Sequence, residues 1–378
     1  MTKKIALVHD YLKEFGGAER VLRSLSDIFP QAPIYTAFAD RKSIAAKAFA
    51  DRKIIESRWA WLIKRRNLYS PLRFLAPLVW QSCDLSDYDL VITSCSGYFA
   101  RGFKTGNQTK VVAYCHTPPR FLYGYQTSRD WRKYRLVRLY ALVINHFLRK
   151  FDFYSAKKVD YWLVNSKNVA QRVKKFYRVN SKVIYPPVLV RKFVATSNEI
   201  KRKKEYFLIV SRLVGAKGLE EAIIAAKELK LPLKIVGGTA GYETIRERLE
   251  KLGEGIVEFL GRVNDDELAI LYAEAKGFLA LAQDEDFGIT VVEAQAAGTP
   301  VIAFNGGGFR ESVKNGETGI LINSTEVSAI NKALEQFKKI NWNKETLQVW
   351  ARSFSEERFK EEIKEFILKI NSLKKQQA

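Results

Sequence analysis

Glu285 and Glu293 stand eight residues apart in the stretch EDFGITVVEAQAAGTPVIA, residues 285–303. GFLALA before them reads as a strand, DEDFG as a loop and ITVVEAQAAG as a helix. Glu285 then sits at a strand end, and Glu293 lies deeper in the helix with its carboxylate directed back towards the helix start. The amides of Phe287, Gly288 and Ile289 open that helix and are donors for an anion. An ionised carboxylate accepts hydrogen bonds from two neighbouring hydroxyls. Two carboxylates beside an anion site therefore suit a ligand with phosphates and two vicinal diols: a nucleoside diphosphate sugar, ribose at one end and hexose at the other. Taken singly, each glutamate is equally an ordinary residue, Glu285 one favoured by the helix dipole.

A second constellation supplies positive charge. YFLIVSR ends in Ser211 and Arg212, and LVGAKG follows, so Arg212 and Lys217 share a strand-to-helix loop with Gly215 and Gly218. Arg as a fork and Lys as a point charge suit a diphosphate; alone, R-x4-K is equally a solvated basic loop. His116 follows the strand KVVAYC and precedes TPPR, where the chain turns sharply and presents the ring at a strand end. His9 ends the first strand and either faces the cleft or caps it, and His146, in LYALVINHFL, reads as packing. Asp284-Glu285-Asp286 matches a D-x-D metal motif, but it lies in the last quarter of the chain before a helix carrying Glu293, so no metal site is read there.

These residues need strand ends to hold them. KIALVH, LVITS (90–94), KVVAYC (110–115), YWLVN (161–165) and KVIY (182–185) read as strands, with AERVLRSLSDIF helical after the first. IYPPV breaks the pattern, and the polar, basic residues 191–205 read as a linker. A second series follows: YFLIVSR, LKIVGG, VEFLG, GFLALA, PVIAF and GILIN, separated by helices that include 219–229 and 266–275. Short apolar strands alternating with helices predict parallel sheets covered on both faces. The expectation is an α/β chain of two doubly wound, Rossmann-like domains, 1–190 and 203–345, with ligands at the carboxyl ends of the strands in a cleft. Ser353 and Glu356 have capping-box spacing, and Phe359, Ile363, Phe366, Ile367 and Ile370 form an apolar stripe.

Together the motifs resemble glycosyltransferase family 4, the retaining transferases of GT-B fold, over nearly the whole chain. The resemblance rests on E-x7-E with AxxAGTPVIA after it, on SRLVGAKG, on FLGRVNDDEL and on FGGAER. EDFGI, HDYL…GGAERVL and YCHTPPR look most like mannosyltransferases of O-antigen and related polysaccharide assembly. The resemblance implies that Glu285 holds hydroxyls of the donor hexose and Glu293 the ribose, and that Arg212 and Lys217 neutralise the departing diphosphate. It implies that Arg262 and Val263 border the base, that Gly16 and Gly17 let their loop approach the donor phosphate or the acceptor, and that His116 lies near the reacting sugar. It also implies that the last helix, 353–371, crosses back to the first domain. The donor it suggests is GDP-mannose, with a UDP-sugar as the alternative, and the acceptor a lipid-linked or polysaccharide glycan. Where the family has a further Gly or Pro pattern after LKIVGG, this chain has TAGYE. No glycosidase-like pair of catalytic carboxylates is evident, and with two cations and a helix start on the leaving group neither metal nor other cofactor is required.

The chain has 378 residues, 47% of them apolar, and 63 Lys and Arg against 41 Asp and Glu, a formal net charge of +22. Such a field favours an acidic partner. Three cysteines, Cys83, Cys95 and Cys115, have no CxxC spacing and suit a reducing compartment. The start is too short for a signal peptide, and no stretch approaches the ~18 apolar residues of a membrane span. Residues 57–80 mix Trp59, Trp61, Trp80, Lys64, Arg65 and Arg66 with aliphatics, and 131–151 repeat the mixture. Basic and aromatic residues beside an apolar face describe helices on an anionic membrane surface, though each is also an amphipathic helix with a buried face. The expected location is cytoplasmic, peripheral on the inner face of the plasma membrane. Nucleic-acid binding draws on the same charge and aromatics, but no nucleic-acid motif supports it and nucleic acid is not an expected partner. A catalytically dead sugar-nucleotide sensor is opposed by the intact Glu285, Glu293, Arg212 and Lys217.

Overall fold

The computed structural model describes residues 3–65, 68–127, 135–200, 203–239 and 243–375. It divides into two compact units, one of Met1–Pro187 with Phe359–Ala378 and one of Val188–Arg358. Each is built on one parallel sheet.

In the first unit the strands are β1 (Ile5–His9), β2 (Ile34–Thr36), β3 (Ile54–Glu56), β4 (Leu90–Cys95), β5 (Lys110–Cys115), β6 (Tyr161–Val164) and β7 (Lys182–Val183), in the order β3-β2-β1-β4-β5-β6-β7. Alternate residues serve opposite faces. Ala6, Val8, Val91, Val111, Ala113, Trp162 and Val164 belong to one core cluster. Leu7, Leu90, Ile92, Val112, Tyr114 and Leu163 belong to another, together with Phe359, Ile363, Ile367 and Ile370 from the helix Glu356–Lys375. Burial on both faces explains why these strands read as unbroken apolar runs. The three-residue strands β2 and β3 escaped the sequence pattern because each is too short to carry a period.

The second unit contains β8 (Phe207–Val210), β9 (Leu233–Val236), β10 (Val257–Gly261), β11 (Gly277–Ala280), β12 (Val301–Phe304) and β13 (Gly319–Ile322), in the order β10-β9-β8-β11-β12-β13. It is the six-strand order of the doubly wound nucleotide-binding fold, and the first unit repeats it with β7 added. Residues 191–205, read from their polarity as a linker, instead begin with a helix, Val190–Glu199, whose Val190, Phe193 and Ser197 are buried. Its ring of Phe193 packs edge-on against Tyr272, 5.6 Å between centroids. The unit also runs past 345, through a helix Lys344–Arg352 whose Leu347 and Ala351 are buried.

Two surface expectations change. Trp80 is fully buried, and its indole N–H donates to the Tyr98 carbonyl at 2.6 Å. Residues 57–80 are not one amphipathic helix but short pieces, Ala60–Ile63, Arg73–Leu75 and Ala76–Gln81; Arg66 lies outside the described residues. His146 is exposed rather than packed, because the long helix Arg135–Ala156 buries Ala141, Leu148, Asp152 and Ser155 on another face. Residues 131–134 lie outside the described residues.

Candidate functional site

In the second sheet the chain order reverses between β8 and β11, which are hydrogen-bonded neighbours. Loops leaving two such strands run to opposite sides and open a crevice between them. Both sequence constellations occupy this place. Arg212 and Lys217 are in the loop after β8, and Glu285 is in the loop after β11. Gly218 ends the first loop at φ 67°, and a Cβ there would lie 2.6 Å from Cβ of Leu281. That contact presses the two loops together and brings Lys217 Nζ to 2.6 Å from Glu285 Oε2. The pair uses only part of either group, since the ammonium has three N–H donors and the carboxylate about four acceptor positions. Arg212 is exposed on the same loop.

Gly288 sits at the N-cap of the helix Ile289–Ala296 with φ 89°, a left-handed conformation that side chains with a Cβ adopt at a cost. Phe287 is buried against Phe354, 5.4 Å between ring centroids, which anchors the turn. Glu293 is 4% exposed, and its Oε2 accepts a hydrogen bond from the Tyr272 hydroxyl at 3.0 Å. Tyr272 was not singled out in the sequence; it lies in 266–275, a helix read only as cover for the sheet. Also missed was Asn305-Gly306-Gly307-Gly308 after β12. There the Gly308 amide donates to the Glu285 carbonyl at 2.9 Å. A Cβ on Gly307 would stand 2.3 Å from that carbonyl, and one on Gly308 would stand 2.3 Å from the Phe287 Cα. Three consecutive glycines after a strand were the available signal for this close approach.

Arg262 and Val263 follow β10 beside the same edge. A Cβ on Gly238 would lie 2.7 Å from the Arg262 Nε. The Gly237 amide donates to the Gly261 carbonyl at 2.7 Å and the Leu213 amide to the Gly238 carbonyl at 3.0 Å, tying the loops after β8, β9 and β10 together. Within TAGYE, residues 240–242 lie outside the described residues.

The first unit places its candidates at the equivalent reversal, between β1 and β4. Gly16 caps the helix Gly17–Ile28, and its amide donates to Glu19 Oε2 at 2.9 Å. The other carboxylate oxygen, Oε1, lies 3.4 Å from His9 Nε2. His9 Nδ1 is 3.0 Å from Ser94 Oγ, which is 2.7 Å from His116 Nε2. Burial and the charge of the neighbouring His9 push the pKa of His116 down to about 3, so its ring is neutral at ordinary pH. Its backbone carbonyl accepts from Asn165 Nδ2 at 2.9 Å, and its ring lies 5.3 Å from that of Tyr114. Ser94 was not legible as a site residue, because strand pairing joins it to His9 across 85 positions in sequence.

Residues 15–192 match Glycosyltransferase Family 4, and residues 190–369 match Glycosyl transferases group 1. The chain belongs to glycosyltransferase family 4. Among its relatives, an alpha-1,3/1,6-mannosyltransferase, ALG2 of Dictyostelium discoideum, is 28% identical over 65% of this chain and 67% of that protein. A GDP-mannose-dependent alpha-(1-6)-phosphatidylinositol monomannoside mannosyltransferase of Mycobacterium tuberculosis is 34% identical, over 34% of this chain and 36% of its own. Among solved structures, Anabaena HepE in complex with UDP and glucose superposes with a TM-score of 0.68 at 17% identity, covering 97% of this chain and 99% of that one. The last likeness shows the fold, GT-B. This family 4 glycosyltransferase thus carries both parts of the family pattern, each on its own sheet.

The depressed pKa of His116 has a consequence for stability. A histidine that titrates near 6.5 when unfolded and near 3 when folded takes its proton only when the chain opens. The unfolded state then binds more protons between those values, so stability falls as pH drops from about 6.5 towards about 3 and is independent of this group above that range. Glutamine at this position has no such proton to bind. Thermal melts from pH 7 to pH 4 are expected to show the wild type losing stability faster than His116→Gln; parallel curves would show that the folded ring keeps its ordinary pKa.

Proposed function

We propose that this glycosyltransferase moves mannose from GDP-mannose to a lipid-linked or polysaccharide acceptor in cell-surface glycan synthesis, with retention and without a metal ion. The observation that carries the donor site is the Lys217–Glu285 contact of 2.6 Å beside the N-terminus of the helix that carries Glu293. Cation and helix amides suit the diphosphate, and the two carboxylates suit the two sugars. Arg212 joins Lys217 on the leaving group, so stabilisation of its developing charge is assigned to protein groups. Arg262 and Val263 are assigned to the base, and Phe287, Gly288 and Ile289 to the anion-binding helix start. Gly16, Gly17 and His116 keep the roles that family resemblance gives them.

Mannose and guanosine are supported by what the named relatives do. A UDP-sugar is the second reading, favoured by the UDP and glucose in the HepE structure. Hydrolysis of a panel of nucleotide sugars, run with and without EDTA, tests both points. GDP-mannose is expected to turn over equally in both. Turnover of UDP-glucose alone shows the other donor, and loss on chelation with recovery in Mn²⁺ revives Asp284 and Asp286 as ligands.

The glutamates are expected to separate kinetically. Contacts from Glu285 to a hexose that becomes cation-like tighten in the transition state, whereas Glu293 holds a ribose equally in ground and transition states. Glu285→Gln should lower kcat by about tenfold to a hundredfold and spare nucleoside diphosphate binding, while Glu293→Gln weakens that binding on the same scale, from the roughly 1.5–3 kcal/mol of a charged hydrogen bond. Calorimetry with the free nucleoside diphosphate decides; a larger loss in Glu285→Gln reverses the assignment.

The acceptor's surroundings are read from the helix Arg135–Ala156. Its Leu136, Leu139, Leu142 and Phe147 are 83%, 63%, 70% and 62% exposed, beside the exposed Arg135, Arg138 and Lys150. The Tyr140 hydroxyl donates to the Pro71 carbonyl at 2.6 Å, which links this face to the segment that exposes Trp61, Phe74 and Leu78. No helix among the described residues is long and apolar enough to cross a membrane. Apolar side chains flanked by cations suit the interface of an anionic bilayer, and we place the protein peripherally on the cytoplasmic face of the plasma membrane. Sedimentation with phosphatidylglycerol vesicles is expected to carry the protein down, phosphatidylcholine vesicles far less. Changing Leu139, Leu142 and Phe147 to serine should lower the partition coefficient by at least about tenfold, given ~1.5–3 kcal/mol for each fully buried apolar side chain. Equal sedimentation of variant and wild type removes this face from the membrane assignment.

A further inference from the structure

Glu293 is held by a residue outside the motifs that carry the chemistry. Its Oε2 accepts from the Tyr272 hydroxyl at 3.0 Å, and both side chains lie inside the second unit, Glu293 4% exposed and Tyr272 0%. Tyr272 has little room to move. Its ring packs edge-on against Phe193, 5.6 Å between centroids, and tilted against Phe278 of β11 at 5.5 Å. Its carbonyl accepts from the Thr299 hydroxyl at 2.6 Å, and the Thr299 amide donates to the carbonyl of Ala294, the residue after Glu293, at 2.8 Å. Tyrosine and glutamate are therefore tied together through backbone as well as through the hydroxyl.

The helix that carries Tyr272, Asp265–Glu274, starts beside the residues assigned to the base. Arg262 and Val263 directly precede its cap, Asn264. The Asn264 side chain accepts from the Asp266 and Glu267 amides, each at 2.9 Å, and the Glu267 carboxylate accepts from the Asn264 amide at 3.2 Å. This reciprocal cap fixes where the helix begins. One helix thus sets Arg262 and Val263 at its start and, two turns on, the hydroxyl that meets Glu293. A glutamate side chain has several rotatable bonds, and the last of them, which turns the carboxylate, has only broad preferences. A donor that cannot move, bonded to Oε2, stops that rotation and gives the other oxygen one direction. Without the donor, the carboxylate keeps the cost of burial and loses the bond that offsets it.

We propose that Tyr272 is a positioning residue that aims the Glu293 carboxylate at the two ribose hydroxyls of the nucleotide, and so sets the preference of the site for a ribonucleotide over its deoxy form. This rests on the ribose reading of Glu293 given above. Two hydroxyls on adjacent carbons present their protons in a fixed relation, and one carboxylate accepts both only in a matching orientation. The deoxy nucleotide offers no diol. It gains nothing from an aimed carboxylate and loses nothing when the aim is lost, which makes the ratio of the two affinities a direct measure of the orientation.

Calorimetry of the full-length protein with GDP and 2′,3′-dideoxy-GDP, and with the corresponding uridine pair, tests the proposal. The wild type is expected to bind the ribonucleotide of its preferred base about tenfold to a hundredfold more tightly than the dideoxy form. Tyr272→Phe keeps the ring and removes only its oxygen. It should weaken the ribonucleotide by roughly tenfold, the scale of one hydrogen bond, and leave the dideoxy form unchanged. KM for the donor should rise with kcat spared, since the ribose contact is the same in ground and transition states. Added to Glu293→Gln, Tyr272→Phe should cost nothing further. Equal losses for both nucleotides show that Tyr272 only packs and overturn the proposal, as does full discrimination retained in folded Tyr272→Phe. Thr299→Val, which releases the Tyr272 carbonyl, decides if Tyr272→Phe does not fold: the ratio should fall by a smaller factor, and an unchanged ratio overturns the proposal. A wild type that binds ribonucleotide and dideoxynucleotide equally removes the ribose role of Glu293 and this proposal with it, whereas the other adverse outcomes leave the ribose role standing.

Discussion

In each sheet the chain leaves one central strand towards one side and its neighbour towards the other, between β1 and β4 in the first unit and between β8 and β11 in the second. Right-handed crossovers leave the carboxyl-end loops at that reversal uncovered by either connecting helix. Every other feature of the site follows from this constraint. Parallel pairing sends all strand ends to one edge, the reversal opens that edge at one place, and the helices that start there point their amides into it. Arg212, Lys217 and Glu285 are chemically ordinary side chains made useful by this placement. So are His9, Ser94 and His116.

The two units fill the same architectural position with different physics. The second uses glycine. Gly218, Gly288, Gly307 and Gly308 let backbone pass within distances that a Cβ forbids, and this close approach is what carries the Lys217 loop, the Glu285 loop and the Gly-rich loop after β12 onto one another. The first uses buried polarity. His9, Asp10 and Ser94 are 2%, 4% and 0% exposed, and each has hydrogen-bond partners on another element. Partnered groups of this kind resist displacement, because moving any one of them strands its neighbours without a bond. One unit is therefore shaped by close backbone approach, and the other by buried hydrogen bonds between strand ends.

The sequence disclosed the parts that obey a period or a local spacing. Most strands, the E-x7-E helix and the SRLVGAKG loop were legible because burial on both faces makes strands uniformly apolar and because a loop-to-helix turn shows its glycine. What stayed hidden depends on contacts between distant positions. Tyr272 looked like a packing residue until its hydroxyl met Glu293, and Ser94 looked like the end of an apolar strand until its neighbours on both sides proved to be histidines. The helix Val190–Glu199 was misread because its composition, RKFVATSNE, is polar on most of its surface, and only Val190, Phe193 and Ser197 are buried. Trp80 was misread for the opposite reason. Tryptophan beside basic residues reads as interfacial, yet the Tyr98 carbonyl satisfies its N–H and allows the whole ring to enter the core.

The loop that follows His116 shows how the buried polarity of the first unit reaches its surface. Arg101 and Asp152 form a fully buried ion pair, with the Tyr177 and Tyr123 hydroxyls donating to the same carboxylate. A pair like this adds little net stability against an apolar replacement, because desolvation offsets most of its attraction. Its effect is directional. Tyr123 lies in the segment that leaves His116, and it is held both by Asp152 and by a stack on Phe176 at 3.9 Å between centroids. Thr117 accepts from Arg172 at 3.2 Å, and that guanidinium lies 4.1 Å from the Tyr125 ring centroid. Asp152 itself belongs to the helix Arg135–Ala156, whose opposite side exposes Leu139, Leu142 and Phe147. One helix therefore both fixes the loop beyond His116 and exposes an apolar, basic face on its other side.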